Sequence, residues 1–438
     1  MSDYGEARRA RAGRPRLLAA IRAAIRAQGP IPFAIFMDLA LYHPRYGYYS
    51  ALRSPPGPRG DFYTSPEAHP AFGALLARQV LEVWERLGAP GEFTVEEWGA
   101  GSGRLASDIL AAAPALAPEF GASLRYAIVE RSPALRRAQQ RLLRPWLDRV
   151  SWLEPPTPRV GAAPPGALGD TPREPEGERR GARGATPLVG CVLANELLDA
   201  FAVHRVVRRG DTLRELYVDL ADQRDREAAG GAAFREREGP LSTPALADYF
   251  ARLGLLPPEG AVAEVNLGAL AWLRAVAARL ARGALLVVDY AHPAEILYSA
   301  RYPRGTLLAY YHHAISENPY LRVGYQDLTA HLDLTSLLLE GRAAGLAPLG
   351  LARQANFLRR LGLGAYEAAV RAADLPAAER QASLRALATL ANPAGLGAYW
   401  VLAFGRGLGG PLHGLDEAAE PLSGPALPAF LRPRLGWS

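Results

Sequence analysis

The residues best placed to do chemistry are a glycine-rich run and the acids around it. The run is Glu97-Trp98-Gly99-Ala100-Gly101-Ser102-Gly103-Arg104-Leu105. It follows an apolar stretch that reads as a strand, Phe93–Trp98, and opens a helix over residues 104–113. Glycines let a backbone turn sharply and let a ligand lie against it. The stretch 101–106 also satisfies the dinucleotide pattern G-x-G-x-x-A. The loop alone therefore admits either a dinucleotide or S-adenosylmethionine. Glu97 separates the two, because a carboxylate beside the loop repels a pyrophosphate and attracts an ammonium or a sulfonium. Glu130, at the end of a second strand, can accept both hydroxyls of a ribose, a role shared by either cofactor. The residues thus point to S-adenosylmethionine, with Glu97, Gly99, Gly101, Gly103 and Glu130 as its contacts. An NAD-linked oxidoreductase is the alternative, and a plain turn beside a salt-bridged acid is the bland one.

Methyl transfer is an in-line displacement, so the protein's task is to aim a nucleophile's lone pair. In open α/β sheets ligands bind beyond the carboxyl ends of the strands. A fourth strand ends at Asn195-Glu196-Leu197-Leu198-Asp199 and a fifth at Asp289-Tyr290, and both ends are expected to project into the cleft. Asn195 can accept a hydrogen bond from an amine. Glu196 and Asp199 can hold a cationic group such as a guanidinium and favour loss of its proton. A turn cap is the alternative for Asp199, an exposed helix start for Glu196. His312, His313 and His331 match no metal-site spacing, and no metal is expected.

The elements that must position these groups alternate between strand and helix. Strands are read at Phe93–Trp98, 124–130, Val150–Leu153, 188–194 and 284–289, with helices at 104–113 and 133–143 between the first three. That alternation implies parallel βαβ units and a doubly wound α/β sheet. Residues 346–357 and 398–405 read as two further strands. Upstream, residues 16–28 form an amphipathic helix with Leu17, Leu18, Ile21 and Ile25 on one face. Residues 30–65 are rich in aromatics and turn formers, and a helix over 66–87 is capped by Ser65. Residues 154–187 are proline-rich and read as a flexible surface insertion. Residues 203–260 hold a hairpin and a helix starting near Ser242, and form a cap or a contact between two copies, which leaves a homodimer open. The expected organisation is an N-terminal extension (1–90), a core in two parts (91–202 and 261–410), the inserted subdomain (203–260) and a tail (411–438).

Composition narrows the chemistry further. The 438 residues carry a net charge of +6, too little to imply nucleic-acid binding, and their 50 basic residues are all arginine. Without lysine there is no pyridoxal-phosphate Schiff base, no Walker-A loop and no kinase-type site. Acid–base work falls to Asp, Glu, His or Tyr. The single cysteine, Cys191, sits in an apolar run, reads as a small buried hydrophobe and excludes a disulfide scaffold. No apolar run is long enough to span a membrane, and the N-terminus lacks a signal-peptide core, so a cytoplasmic protein is expected.

These motifs, in order, resemble the MidA-type methyltransferases, which include a mitochondrial complex I assembly factor that methylates an arginine. The resemblance covers most of residues 30–340. It rests on Gly60-Asp61-Phe62-Tyr63-Thr64-Ser65-Pro66-Glu67 with Phe72-Gly73, the Glu97–Leu105 run, and Glu130-Arg131-Ser132-Pro133 with Leu135-Arg136 and Gln139. It continues through Asn195-Glu196, Asp199-Ala200 and Val203-His204 to Gly324 and Asp327-Leu328-Thr329-Ala330-His331-Leu332-Asp333. It implies a class I methyltransferase fold, a mostly parallel seven-stranded sheet with an antiparallel last strand. It further implies S-adenosylmethionine as methyl donor and a protein arginine as acceptor, with a respiratory NADH dehydrogenase subunit or its bacterial counterpart as partner. Asp61, Thr64, Ser65 and Glu67 would then help close the cofactor cleft, and Asp327, Thr329 and His331 would line a surface near it. A non-catalytic assembly factor with the same fold is a further reading. The chain departs from the family at Ala291, where a glycine is usual after Asp-Tyr, and over residues 392–404.

Overall fold

The inner strands of the central sheet, covered on both faces, are buried along most of their length, and seven strands build it. They are β1 (Phe93–Trp98), β2 (Leu124–Val129), β3 (Val150–Leu153), β4 (Leu188–Asn195), β5 (Leu280–Asp289), β6 (Ala347–Arg353) and β7 (Trp400–Arg406). Their spatial order is β3-β2-β1-β4-β5-β7-β6. β1 to β5 run parallel, and β7 lies antiparallel between β5 and β6. This is the doubly wound sheet that the strand–helix alternation predicts, with the antiparallel last strand that the family resemblance implies. The order reverses direction between β1 and β4, which opens a crevice at their carboxyl ends. The computed structural model describes residues 13–51, 64–155, 187–223, 232–424 and 426–434. Asp61 and nearly all of the proline-rich stretch lie outside them.

Two helices, α1 (Pro15–Gln28) and α2 (Phe33–Tyr42), pack through Leu17, Ile21, Phe33 and Phe36 against Val218 and Phe234 of a second sheet. That sheet joins Ile31–Pro32, His204–Arg209, Thr212–Leu220, Phe234–Gly239 and Val262–Val265. One face of the central sheet is buried by α3 (Ala71–Arg86) and α4 (Arg104–Leu116), together with the helices of residues 354–390. Helix α5 (Pro133–Leu142) follows β2, its first turn capped by the Ser132 hydroxyl, which accepts the Leu135 N–H at 3.3 Å. The opposite face is buried by α6 (Ala245–Leu253), α7 (Leu267–Arg279) and α8 (Leu334–Ala343).

Several local expectations are corrected. Residues 33–42 are helical although they read as turns, because a helix buried nearly all round shows no 3.6-residue pattern. The helix expected over 66–87 is two, Ser65–Ala68 and α3, separated at His69-Pro70, where proline lacks the N–H that a continuing helix needs. Thr64 rather than Ser65 stands at the N-cap, with no side-chain cap bond, and the Ser65 hydroxyl donates to Gln354 Oε1 at 3.1 Å. The strand expected over 346–357 ends at Arg353, and Gln354 begins a helix.

The strands approach closely where glycines lie side by side. Gly190 on β4 pairs with Thr94 on β1 and with Gly283 on β5, and a Cβ on Gly190 would run into the Thr94 carbonyl. Backbone cannot yield there as a side chain would. Gly190→Ala is expected to destabilise the fold by about 2 kcal/mol or more in urea unfolding. An unchanged midpoint would refute this account of the sheet's spacing.

Candidate active site

A cavity of about 1200 Å³ opens at the crevice between β1 and β4. The glycine loop, Glu67, Glu97, Glu130, Thr64, Asn195 and Glu196 all line it, as do Tyr42 and Tyr49. Gly99, Gly101 and Gly103 take φ of 67°, 52° and 86°, in the left-handed region where a side chain is strained. The two outer glycines also make room: a Cβ on Gly99 would lie 2.6 Å from Leu197 Cδ1, and one on Gly103 would lie 3.2 Å from Gln139 Cγ. Gly101 has nothing within 4 Å of a Cβ position. Its place in the cradle is open, as a ligand lying on the loop requires.

The adjacent acids Glu96 and Glu97 have opposite fates, because successive residues of a strand face opposite sides. Glu96 points to the α7 face, where the Arg279 guanidinium grips it with two bonds of 3.0 and 2.7 Å. Glu97 points to the other face and to the cavity. There it accepts the Tyr126 hydroxyl at 2.7 Å, and no described arginine pairs with it. Burial pushes its carboxyl up to about 7, and the nearby Glu130 adds to the rise. Glu130 is raised as well by burial, against the bonds it accepts from Ser132 N at 2.7 Å and Gln139 Nε2 at 3.0 Å.

Gln139 ties these parts together. Its Nε2 also donates to the Gly101 carbonyl at 3.0 Å, and its Oε1 accepts from Trp152 Nε1 at 3.0 Å. One buried amide thus fixes the glycine loop relative to Glu130. Glu67 does the same from the other side, accepting the Ser102 hydroxyl and pairing with Arg104 Nε at 2.7 Å.

Opposite the loop, Glu196 has φ of 50°, a left-handed conformation for a residue with a side chain. Three contacts hold it there. Its carboxylate accepts Ser65 N at 2.9 Å, Asn195 Nδ2 at 3.2 Å and the Tyr399 hydroxyl at 3.3 Å. Burial first, and then the nearby Asp199, push its carboxyl up to about 8. Asn195 Oδ1 is buried and accepts no hydrogen bond among the described residues. Strain together with an unused acceptor is the pattern of a site preformed for a ligand.

The structure divides the sequence-derived candidates. It brings Thr64, Glu97, Gly99, Gly101, Glu130, Asn195 and Glu196 onto one cavity. Gly103 stands just behind, as the N-cap of α4. Asp199 is not on the cavity wall. Its carboxylate accepts backbone N–H groups of its own turn, the capping alternative, and burial raises its pKa. Asp289 and Tyr290 do not project into the cleft either. Asp289 accepts Leu198 N at 3.0 Å, Asp199 N at 3.3 Å and Tyr290 N at 2.8 Å, so it brackets the turn after β4. Tyr290 stacks on His331 and packs at a tilt against Tyr399 instead. His331 is driven down to about 4 by burial and the neighbouring His292.

The comparisons with known proteins decide the cofactor class. Residues 75–352 match the family described as "Putative S-adenosyl-L-methionine-dependent methyltransferase". The chain belongs to this family. The NAD reading of the glycine loop therefore gives way to the methyl donor. A Drosophila melanogaster protein named protein arginine methyltransferase NDUFAF7 homolog, mitochondrial, is 30% identical over 81% of this chain and 76% of its own length. The human protein arginine methyltransferase NDUFAF7, mitochondrial, is 27% identical over 77% of this chain and 71% of its own. A Burkholderia thailandensis protein of the COG1565 superfamily, solved with S-adenosyl-homocysteine, superposes with a TM-score of 0.74 at 31% identity, covering 92% of this chain and 95% of the other. No helix among the described residues is long and apolar enough to cross a membrane.

Sequence reasoning missed Tyr126, Tyr399 and the positioning role of Gln139 in this methyltransferase. Tyr126 was within reach: it lies on β2 opposite Val95, so strand alternation puts it on the same face as Glu97. Tyr399 lies 203 residues from its partner and left no local signal.

The raised carboxyl of Glu97 has a consequence for stability. An acid whose folded pKa of about 7 exceeds the unfolded value near 4.5 costs stability as pH rises between the two. Glu97→Gln removes that cost. The variant is expected to be more stable than wild type at pH 8, by about 1–3 kcal/mol, with no gain below pH 4.5. Urea unfolding at both pH values checks this, and equal stability at pH 8 contradicts it.

Proposed function

We propose that this chain is a protein arginine N-methyltransferase acting in the cytoplasm on a respiratory NADH dehydrogenase subunit or its bacterial counterpart. The observation that carries the reading is the pair beside the donor loop: among the described residues Asn195 Oδ1 accepts no hydrogen bond, and Glu196 is strained, half-buried and paired with no cation. Such a pair suits a planar group with several N–H donors and a positive charge, as a guanidinium has. The names of the relatives at 27–30% identity support the same acceptor.

S-adenosylmethionine, when bound, supplies a methyl group from a sulfonium. The donor set fits it. Glu97 faces the cavity with no cation paired to it among the described residues, and would hold the amino group of the methionine part. Gly99 and Gly101 let backbone approach the ligand, while Gly103 starts α4. Glu130, its carboxylate aimed by Ser132 and Gln139, would accept the ribose hydroxyls, and Thr64 would close the cavity beside them. On the acceptor side, Asn195 Oδ1 and Glu196 would each accept a guanidinium N–H, which turns one nitrogen lone pair toward the methyl group. As the N–C bond forms that nitrogen loses a proton, and Glu196 is the base in reach. Asp199 and Asp289 act only through the turn that presents this pair.

The pH dependence follows from the raised carboxyl. Glu196 must be ionised both to attract a guanidinium and to take its proton. Since kcat/KM reports the free enzyme, it is expected to rise with pH and level off above about 8. Glu196→Gln is expected to lose that limb and about 100-fold or more in rate. A pH profile unchanged in the variant overturns the role. The acceptor is tested by mass spectrometry of the NADH dehydrogenase subunits with and without this chain. Loss of a methylarginine is expected. Methylation of another residue type overturns the arginine reading, methylation unchanged with a Glu196 variant argues against a chemical role for that residue, and the absence of any methylated partner favours a non-catalytic assembly factor.

A further inference from the structure

The segment 426–434 lies far along the chain from the glycine loop, yet Arg434 reaches the parts that border it. Its Nε donates to the Pro66 carbonyl at 2.8 Å, and its guanidinium pairs with the Asp108 carboxylate of α4. Both side chains are largely covered, with Arg434 13% and Asp108 7% exposed. The segment is anchored by Phe430 and Ala426, which are buried in the same core as α3 and α4. Asp108 packs directly on Gly73 of α3, where a Cβ would collide with it.

Pro66 belongs to the Ser65–Ala68 turn, and that turn touches both walls of the cavity. Ser65 N bonds Glu196 beyond β4, and Glu67 bonds Ser102 within the glycine loop. Glu67 also pairs with Arg104, one helical turn before Asp108. Two acids and two arginines thus alternate from the loop to the segment: Glu67, Arg104, Asp108, Arg434. Burial pushes Asp108 up to about 7 against the pull of both arginines, so its charge depends on keeping them. If Arg434 is removed, Arg104 is left between two acids that it must share.

We propose that Arg434 is a positioning residue for the methyl-donor site, clamping the Ser65–Ala68 turn onto the glycine loop through Pro66 and Asp108. The proposal rests on the donor lying at that loop and is independent of the acceptor. Arg434 lines no part of the cavity, so its effect on the ligand runs through Glu67 and Ser65.

The test is binding of S-adenosylhomocysteine by calorimetry, with hydrogen exchange of the ligand-free protein as a second readout. Arg434→Met, which keeps an apolar stem, is expected to weaken binding about tenfold and to speed exchange of the amides of Ser65, Glu67 and Ala68 and of residues 101–104. Arg434→Lys keeps the charge but cannot make both contacts in one plane, and is expected to fall between. Because Arg434 acts through Glu67, the effects of Arg434→Met and Glu67→Gln on binding should not add in the double variant. Affinity within twofold of wild type, or full additivity, overturns the clamp. If Arg434→Met fails to fold, Arg434→Lys decides alone, and wild-type affinity in it overturns the proposal. Wild-type protein that does not bind the ligand at all would sink the donor assignment itself, which is a distinguishable failure.

Discussion

The site depends on a buried carboxylate that no cation among the described residues neutralises. Placing an acid in a low-dielectric region without a cation is unfavourable, and proteins normally pair such groups. This chain shows both outcomes in adjacent residues. Glu96 receives a two-pronged arginine, whereas Glu97, among the described residues, receives a tyrosine hydroxyl and no arginine, and faces the cavity. Glu130 and Glu196 border the same space, also raised by burial. A cavity ringed by such acids favours a cationic ligand, because the ligand supplies the charge that the fold withholds. Arginine is abundant on the chain, yet none among the described residues pairs with Glu97.

Holding unneutralised acids in place requires support from distant parts of the sequence. The Ser65–Ala68 turn bridges the glycine loop and the end of β4, and Gln139 bridges the loop and the end of β2. Tyr399, on the approach to β7, reaches across the sheet to Glu196 and helps keep its backbone in the left-handed region. The turn after β4 is in turn bracketed by Asp289 from the neighbouring strand. The cavity wall is therefore assembled from strand ends, each locked by a side chain from another element. Such cross-bracing restricts the orientations that a reacting group can take, which is how positioning lowers a barrier.

The residues differ in how readable they were. Glu97, Gly99 and Gly101 could be placed at the crevice from sequence because a strand, a tight loop and a helix in succession force the loop to the carboxyl edge of the sheet. Asp199 and Asp289 stood in equally suggestive places, directly after apolar runs, and both turned inward to satisfy backbone N–H groups. The difference lies in local hydrogen bonding. An acid at a strand end either caps the next turn or faces the ligand, and only the rotamer tells which. Residues 33–42 show the same limit for secondary structure, since an element buried on all sides carries no periodic signature.

By itself the sequence determined the alternation of strands and helices, hence a doubly wound sheet, the place of the crevice and the acid beside the glycine loop. Each of these follows from spacing along the chain: side-chain period, glycine at sharp turns, an acid beside a loop. Only the tertiary structure decided which acids the cavity sees, which are capped, and which distant residues hold them. Those outcomes rest on contacts such as Glu196 with Tyr399 or Arg434 with Asp108, which join residues hundreds of positions apart. No local pattern encodes such pairs, because they exist only once the sheet has brought its edges together.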